Sequence, residues 1–220
     1  MKKNSSWLKF LSFLFLALWV NVATTGCVKR EIKNLESNGK NIICFGDSIT
    51  FGYGVSSGED FPSALGKLLK IEVINAGIDG DTSVEALKRL DSDVLNREPF
   101  LVLVEFGGND FLRKIPPEET INNIKQMVEK IQGKGAMVAL VDISAGMFMR
   151  EYRVAFRKIA EKEGTIFIPG ILSGIITNPS MKSDFLHPNA QGYQLIAKRI
   201  YDSIKPYLKK EDLSEVTAKN

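Results

Sequence analysis

Three side chains in this 220-residue sequence have the chemical types that nucleophilic hydrolysis needs: a hydroxyl, an imidazole and a carboxylate. Ser48 follows a glycine and an aspartate after a short apolar run, His187 is the only histidine, and Asp184 lies three residues before it. Such a trio can serve as nucleophile, base and orienting acid. A turn serine, which is common beside glycine and aspartate, and a structural histidine are the alternatives. We predict that Ser48, His187 and Asp184 are catalytic.

Two glycine-containing segments could stabilise the negative charge that develops in such a reaction. Residues 75–81 contain Gly80, whose backbone N–H can approach a ligand without steric cost. Residues 104–110 contain Asn109 after two glycines, and its amide N–H groups are suitable donors to an oxyanion. Turn formation is the alternative for both segments, and each is a weak signal by itself.

These residues need a scaffold that brings them together. Short runs rich in Val, Ile and Phe alternate five times with segments of helical period. The apolar runs are residues 42–45, 71–74, 100–106, 136–141 and 165–168. The helical segments are residues 61–70, 82–90, 118–131 and 151–163, with a last helix that starts at Pro188 or Asn189. The pattern predicts a three-layer α/β/α sandwich around a five-stranded, mainly parallel sheet. Sites in such folds form where the strands end at the carboxyl edge.

The first 26 residues have the composition of a secretory signal. Three lysines precede an apolar run of 11 residues, 10–20, and small residues follow. This core is short for a membrane span, although an uncleaved anchor is the alternative. The exit Thr24-Thr25-Gly26-Cys27 resembles a bacterial lipoprotein cleavage box, with Thr24 where leucine is usual.

This leader predicts export from a bacterial cytoplasm, with a lipid on Cys27 that attaches the protein to a membrane surface. Without the lipid, the protein would be periplasmic or secreted. We therefore divide the chain into a signal peptide (1–26), a tether (27–40), a hydrolase domain (41–209) and a polar C-terminal tail (210–220). Nothing in the sequence indicates an oligomeric state.

Charge and cysteine content exclude other classes. The formal net charge of +3 is due to the three leader lysines, and the remaining 26 basic residues balance 26 acidic ones. The sequence pI of 8.7 therefore gives no reason to expect nucleic-acid binding. Cys44 lies in an apolar run and is expected to be buried and inert. The sequence contains no Cys/His cluster of the kind that binds a metal ion, so we do not expect a zinc site.

Taken together, the four segments around the candidate residues resemble the four conserved blocks of the GDSL, or SGNH, hydrolase family, in the same order. Ser48 matches the nucleophile of the first block, where Ile49 stands in place of leucine, and Gly80 and Asn109 match the next two blocks. Asp184 and His187 match the Asp-x-x-His pair of the last block. The resemblance extends from about residue 42 to residue 204.

The resemblance implies a flavodoxin-like fold and an acyl-enzyme on Ser48. It also implies an oxyanion hole made by the backbone N–H groups of Ser48 and Gly80 and the side-chain amide of Asn109. Within the family, the sequence is most similar to the thioesterase I, lysophospholipase and arylesterase branch, which uses no metal and no organic cofactor. The expected partner is a small-molecule acyl ester or thioester, and this class includes lysophospholipid-like esters.

Apolar side chains after the fourth and fifth strands could form an acyl groove, and the residues proposed for it are Met147, Phe148, Ile175 and Ile176. Core packing is the alternative, because loops that flank strands often bury such side chains. Two alternative functions remain: a carbohydrate or cell-wall O-acetylesterase, and a non-catalytic surface lipoprotein that binds a ligand. The complete set of five site residues argues against the binding protein, which would not need all of them.

Overall fold

The fold is built around a sheet of five parallel strands, in the order β2-β1-β3-β4-β5. A computed structural model describes residues 31–144, 147 and 149–209. The strands are β1 (Asn41–Gly46), β2 (Val73–Gly77), β3 (Pro99–Glu105), β4 (Met137–Val141) and β5 (Ile166–Ile168). This order is that of flavodoxin-like sheets, and it confirms the predicted α/β class. The predicted signal peptide, Cys27, Phe148 and the C-terminal tail lie outside the described residues.

Seven α-helices are found in the described part of the chain. They are α1 (Ser48–Phe51), α2 (Phe61–Leu69), α3 (Ser83–Leu90), α4 (Gly108–Leu112), α5 (Pro117–Gly133), α6 (Arg150–Glu163) and α7 (Ala190–Ile204). The first four of the longer helices match the predicted segments to within two residues at each end, and α7 begins within two residues of its predicted start. The short helices α1 and α4 were not predicted, because four or five residues are too few to show a helical period.

Local chemistry explains where the longer helices begin. Thr82 and Glu85 form a reciprocal capping box at the start of α3, in which each side chain accepts the other residue's backbone N–H. Asp60 caps α2 through the Ser63 N–H, and Asn189 caps α7. These caps satisfy N–H groups that have no partner within the helix.

Strand β2 begins later than predicted. Its first residue is Val73, whereas the apolar run suggested residues 71–74. Lys70 adopts a left-handed conformation at the end of α2, and the Ile71 N–H bonds back to the Gly66 carbonyl. Ile71 therefore completes the helix terminus, and pairing with β1 starts only at the Ile42–Val73 register.

Two apolar clusters lie on the two faces of the sheet. Successive strand residues point to opposite faces, so Ile42 and Cys44 belong to the cluster with α2 and α7, while Ile43 and Phe45 belong to the cluster with α3, α5 and α6. Cys44 is fully buried, and burial raises the pKa of its thiol. A thiol in such surroundings is unreactive, as expected from its position.

The described part of the predicted tether packs against the domain. The Lys33 N–H bonds to the Gly164 carbonyl, and the Asn34 amide bonds to the Gln132 and Ala136 carbonyls. The side chains of Ile32 and Leu35 pack against the apolar core. Residues 32–40 therefore pack with the domain that was predicted to start at residue 41, because this polar segment carries two apolar residues that the domain partly buries.

Within the described residues, no helix has the length and apolar character needed to cross a bilayer.

Candidate active site

Ser48 occupies the turn between β1 and the short helix α1. The carboxylate of Asp47 accepts the Ile49 N–H at 3.0 Å and so caps the helix that starts at Ser48. Gly46 is required just before this turn, because a Cβ there would lie 2.0 Å from the Thr50 Oγ1 and 2.6 Å from a Glu105 oxygen. The sequence thus places a hydroxyl at the carboxyl edge of the sheet, on a turn held by its own neighbours.

The structure brings the three predicted catalytic side chains into one line. The Ser48 Oγ lies 3.1 Å from the His187 Nε2, and the His187 Nδ1 lies 2.8 Å from the Asp184 Oδ2. The ring of Tyr53 lies against the imidazole, with 4.4 Å between ring centroids. Residues 139 positions apart therefore share a hydrogen bond, as a triad requires.

Asp184 is held by the short loop that leads into α7. Its Oδ1 accepts the backbone N–H groups of Leu186 and His187, at 2.7 and 2.8 Å. Burial opposes ionisation, but hydrogen bonds from the His187 ring and from the two backbone N–H groups outweigh it and lower the pKa of Asp184. Asp184 is therefore a carboxylate whose free oxygen faces the imidazole.

Gly80 lies at a tight turn at the end of β2. Its φ of +76° is in the region that favours glycine, and the Asp81 N–H closes the turn on the Ile78 carbonyl. Arg113 donates to the Gly80 carbonyl at 2.7 Å. In the described part of the chain, the Gly80 N–H has no protein acceptor, so it is available to a ligand oxygen.

Asn109 joins the two glycine-containing segments to the nucleophile turn. Its Nδ2 donates to the Asp47 Oδ2 at 3.2 Å and to the Asp81 carbonyl at 3.0 Å. Both amide hydrogens therefore have protein acceptors in this structure. An oxyanion that accepts from Asn109 must replace one of these two bonds.

Asp110, the residue after Asn109, is hydrogen-bonded to two helices. Its carboxylate is fully buried and accepts from the Ser83 backbone N–H at 3.0 Å, from the Ser83 hydroxyl, and from the Thr120 hydroxyl at 2.9 Å. These bonds fix the start of α3 and the first turn of α5 to the residue that follows Asn109. The Asn109 segment is therefore anchored to two helices.

Two buried acids beside the nucleophile were not predicted as functional. Asp47 shapes the turn through its bond to the Ile49 N–H, and it also accepts from the Asn109 amide, a contact that joins distant parts of the chain. Glu105 is fully buried at the end of β3. A lone carboxyl in the otherwise apolar run of residues 100–106 is the signal that could have identified it.

Burial governs the ionisation of both acids. It raises the pKa of Asp47 to about 7, although hydrogen bonds from Ile49 and Glu105 lower it. Burial also raises the pKa of Glu105 well above its usual range, and the neighbouring charge of Asp47 raises it further.

The described residues predicted to form an acyl groove, which exclude Phe148, differ widely in burial. Ile175 is fully buried in the apolar core, so the alternative of core packing is correct for it. Ile176 is half-buried against the same core, whereas Met147 is 88% exposed. Met147 lines a surface cavity with basic residues of α6. A fully buried side chain offers no surface to a substrate, so Ile175 is removed from the groove.

Among the residues described, no group of three His, Cys, Asp or Glu side chains is arranged to hold a metal ion.

Fold and site together define a hydrolase: a flavodoxin-like sheet with a serine, a histidine and an aspartate in contact at its carboxyl edge. The family model described as the GDSL-like Lipase/Acylhydrolase family matches residues 44–195. The chain belongs to this family.

Individual relatives agree with this assignment. Esterase TesA of Pseudomonas aeruginosa is 28% identical over 195 residues, which cover 84% of this chain and 97% of that protein. Thioesterase 1/protease 1/lysophospholipase L1 of Escherichia coli is 31% identical over 173 residues, which cover 75% and 83%. The solved structure of the psychrotrophic esterase EstA from Pseudoalteromonas sp., inhibited by monoethylphosphonate, is 31% identical with a TM-score of 0.70 and covers 76% and 98%.

Proposed function

We propose that this protein is a serine esterase or thioesterase that hydrolyses acyl esters or acyl thioesters through an acyl-enzyme on Ser48. The observation that carries the proposal is the 3.1 Å contact between the Ser48 Oγ and the His187 Nε2, with Asp184 on the other ring nitrogen. A hydroxyl hydrogen-bonded to a carboxylate-supported imidazole is an activated nucleophile.

In the proposed reaction, His187 takes the Ser48 proton as the oxygen attacks the acyl carbonyl. The Asp184 carboxylate holds the ring and stabilises the imidazolium that forms. Backbone N–H groups of Ser48 and Gly80, together with the Asn109 amide, receive the oxyanion. His187 then protonates the leaving alcohol or thiol. In the second half, His187 takes a proton from water as the water oxygen attacks the acyl carbon, and it returns that proton to the Ser48 oxygen as the carboxylic acid leaves.

The relatives support an acyl substrate, because their names include esterase, thioesterase and lysophospholipase. Exposed apolar side chains lie on the segments that carry Ser48 and His187, and Phe51, Tyr53, Phe185 and Leu186 are among them. We propose Met147 and Ile176 as further substrate contacts. We also propose that the protein acts outside the cytoplasm and carries a lipid on Cys27.

A series of p-nitrophenyl esters from acetate to octanoate tests the proposal. The parent enzyme should hydrolyse the longer esters at least as well as acetate, and Ser48→Ala should retain only the weak residual rate that binding and the oxyanion hole provide. A Ser48→Ala variant as active as the parent would remove the mechanism. A strong preference for acetate would support the O-acetylesterase alternative instead.

A further inference from the structure

Two carboxyl groups lie side by side beneath the nucleophile turn. Glu105 is the register partner of Gly46 across β1 and β3, and its Oε2 lies 3.4 Å from the Asp47 backbone N. Asp47 is 2% exposed and Glu105 is 0% exposed. Few sites in a protein bury two acids in contact, because the charged forms repel each other and lose their hydration.

The partners of this pair are all neutral. Asp47 accepts from the Ile49 N–H and the Asn109 amide, and Glu105 accepts from the Thr50 hydroxyl at 2.7 Å and weakly from the Asp47 N–H. None of the hydrogen-bond donors to either carboxyl in the described residues is a cation. The titratable groups that act on the pKa of Asp47 are Glu105, His187 and Asp110, while Tyr193 and Cys44 lie close enough for Glu105 to add to the effect of burial on their pKa values. Only one of these, His187, can supply positive charge.

One oxygen of the pair favours the neutral form of Glu105. The Glu105 Oε1 is buried without a hydrogen-bond partner among the described residues. A negative charge on such an oxygen would be very unfavourable, whereas a protonated carboxyl is uncharged and costs less to bury. Two like charges in contact share a proton for the same reason.

The pair also connects the nucleophile to the oxyanion donor. The two oxygens of Asp47 bond to Ile49, on the turn of Ser48, and to Asn109, on the neighbouring loop. Glu105 holds the same turn through Thr50. We propose that Asp47 and Glu105 form a positioning pair, with one proton held on Glu105, that sets the orientation of the Asn109 amide in the oxyanion hole.

This role follows from the two hydrogen bonds that the Asn109 amide already donates. Both of its amide hydrogens have acceptors, and the bond to Asp47, at 3.2 Å, is the longer one. A forming oxyanion displaces that bond, while the bond to the Asp81 carbonyl keeps the amide in place. Asp47 therefore acts through Asn109 and touches no reacting atom. The inference rests on the proposed hydrolase function.

A double-mutant cycle with p-nitrophenyl butyrate tests it. Asn109→Ala should lower kcat by about 10² to 10³, and Asp47→Asn should lower kcat by about 10- to 100-fold with little change in KM, because the asparagine presents an N–H where Asn109 needs an acceptor. The double variant should be no slower than Asn109→Ala alone, since Asp47 has no effect once the amide is gone. Additive losses, or an unchanged kcat in Asp47→Asn, would overturn the proposal.

Substitutions of Glu105 test the position of the proton. Glu105→Gln keeps an uncharged group that donates and accepts, so kcat should stay within about threefold of the parent, whereas Glu105→Leu should lose activity as Asp47→Asn does. Equal losses in both Glu105 variants, each folded by circular dichroism, would contradict a neutral Glu105.

Asp142→Asn is the matched control. Asp142 is also 2% exposed at the end of a strand, but it pairs with Arg153 at 3.0 Å, away from Ser48. This variant should lose thermal stability and keep its kcat. A parent enzyme that hydrolyses no ester at all would instead contradict the proposed function, so the two failures are distinguishable.

Discussion

At the scale of single residues, the chemistry depends on how burial and hydrogen bonds set charge. Asp184 and Asp47 are both aspartates within reach of His187, yet their pKa values move in opposite directions. Asp184 receives three hydrogen bonds at a partly exposed loop and stays ionised. Asp47 is enclosed beside a second acid, and burial dominates. One aspartate thus supports the imidazole, and the other ionises only near neutral pH, which leaves the pair with the single proton on Glu105.

The raised pKa of Asp47 predicts a pH dependence of stability. The folded protein binds this proton up to about pH 7, whereas an unfolded aspartate releases it near pH 4. The free energy of unfolding should therefore fall as pH rises from about 4 to 7, by an amount on the order of 4 kcal/mol for a shift of this size. Urea unfolding at pH 5 and pH 8 would measure it.

Asp47→Asn should flatten this dependence, because asparagine does not titrate. The comparison is between the parent and the variant, since Asp184, with its lowered pKa, contributes in the opposite sense at more acidic pH. If the free energy of unfolding changed equally with pH in both proteins, Asp47 would not be the group that takes up the proton.

At the scale of elements, one arginine holds the loops of the site together. Arg89 lies on α3 and donates to the Asp81 carboxylate at 2.7 Å. It also donates to two backbone carbonyls near the ends of strands, that of Gly46 in β1 and that of Ala76 in β2. It also pairs with Asp93 four residues on. The turn that carries Gly80 and the strand that carries Ser48 are therefore fixed by the same guanidinium group.

Arg89→Met should destabilise the protein by about 3 kcal/mol, because it leaves the nearly buried Asp81 without its cation. Lys198→Met is the control, since it also removes the cation of an i,i+4 pair, and both partners there are about half exposed. Its effect should stay below about 1 kcal/mol. Thermal unfolding of the two variants would measure the difference. Similar losses of stability in both would contradict this role of Arg89.

The sequence predicted most of the elements and part of the site. Strands such as β3 and β4 were predictable because they are buried on both faces and read as unbroken apolar runs. The triad was predictable because its residue types and order match a known family. The contact of Asp47 with Asn109 was not, since it joins residues 62 positions apart through a geometry that no local pattern encodes. The packing of Ile32 and Leu35 was hidden by their polar neighbours.

At the scale of the whole molecule, the chain enters the domain at the edge opposite the active site. The segment from Lys33 to Lys40 bonds to Ala136, Gly164 and Glu98, which lie one or two residues before strands β4, β5 and β3. The site lies where the strands end. Strand β3, with 7 residues, separates the two edges by about 23 Å.

For the lipid on Cys27 proposed above, the length of the connecting chain predicts that the site stays away from the membrane. Four residues, 28–31, separate Cys27 from Ile32, so the attachment reaches about 17 Å at most. Anchored enzyme should hydrolyse a soluble ester normally and act poorly on a long-chain ester in its own vesicle. A flexible insertion of about 20 Gly/Ser residues after Glu31, with a typical reach of about 25 Å, should raise the vesicle rate alone.

The same insertion in Ser48→Ala is the control for vesicle leakage and background hydrolysis. If the parent acted on the ester in its own vesicle as fast as the extended form, the predicted orientation would be incorrect. An unlipidated mature protein, detected by intact mass, would remove the membrane attachment altogether.

The central claim is that His187 activates Ser48, and covalent labelling by a fluorophosphonate tests it most directly. The account predicts one adduct per chain, located on Ser48 by peptide mass, and labelling slowed by about 10³ or more in His187→Ala. An adduct on a different serine, or equal labelling rates in the parent and His187→Ala, would contradict it.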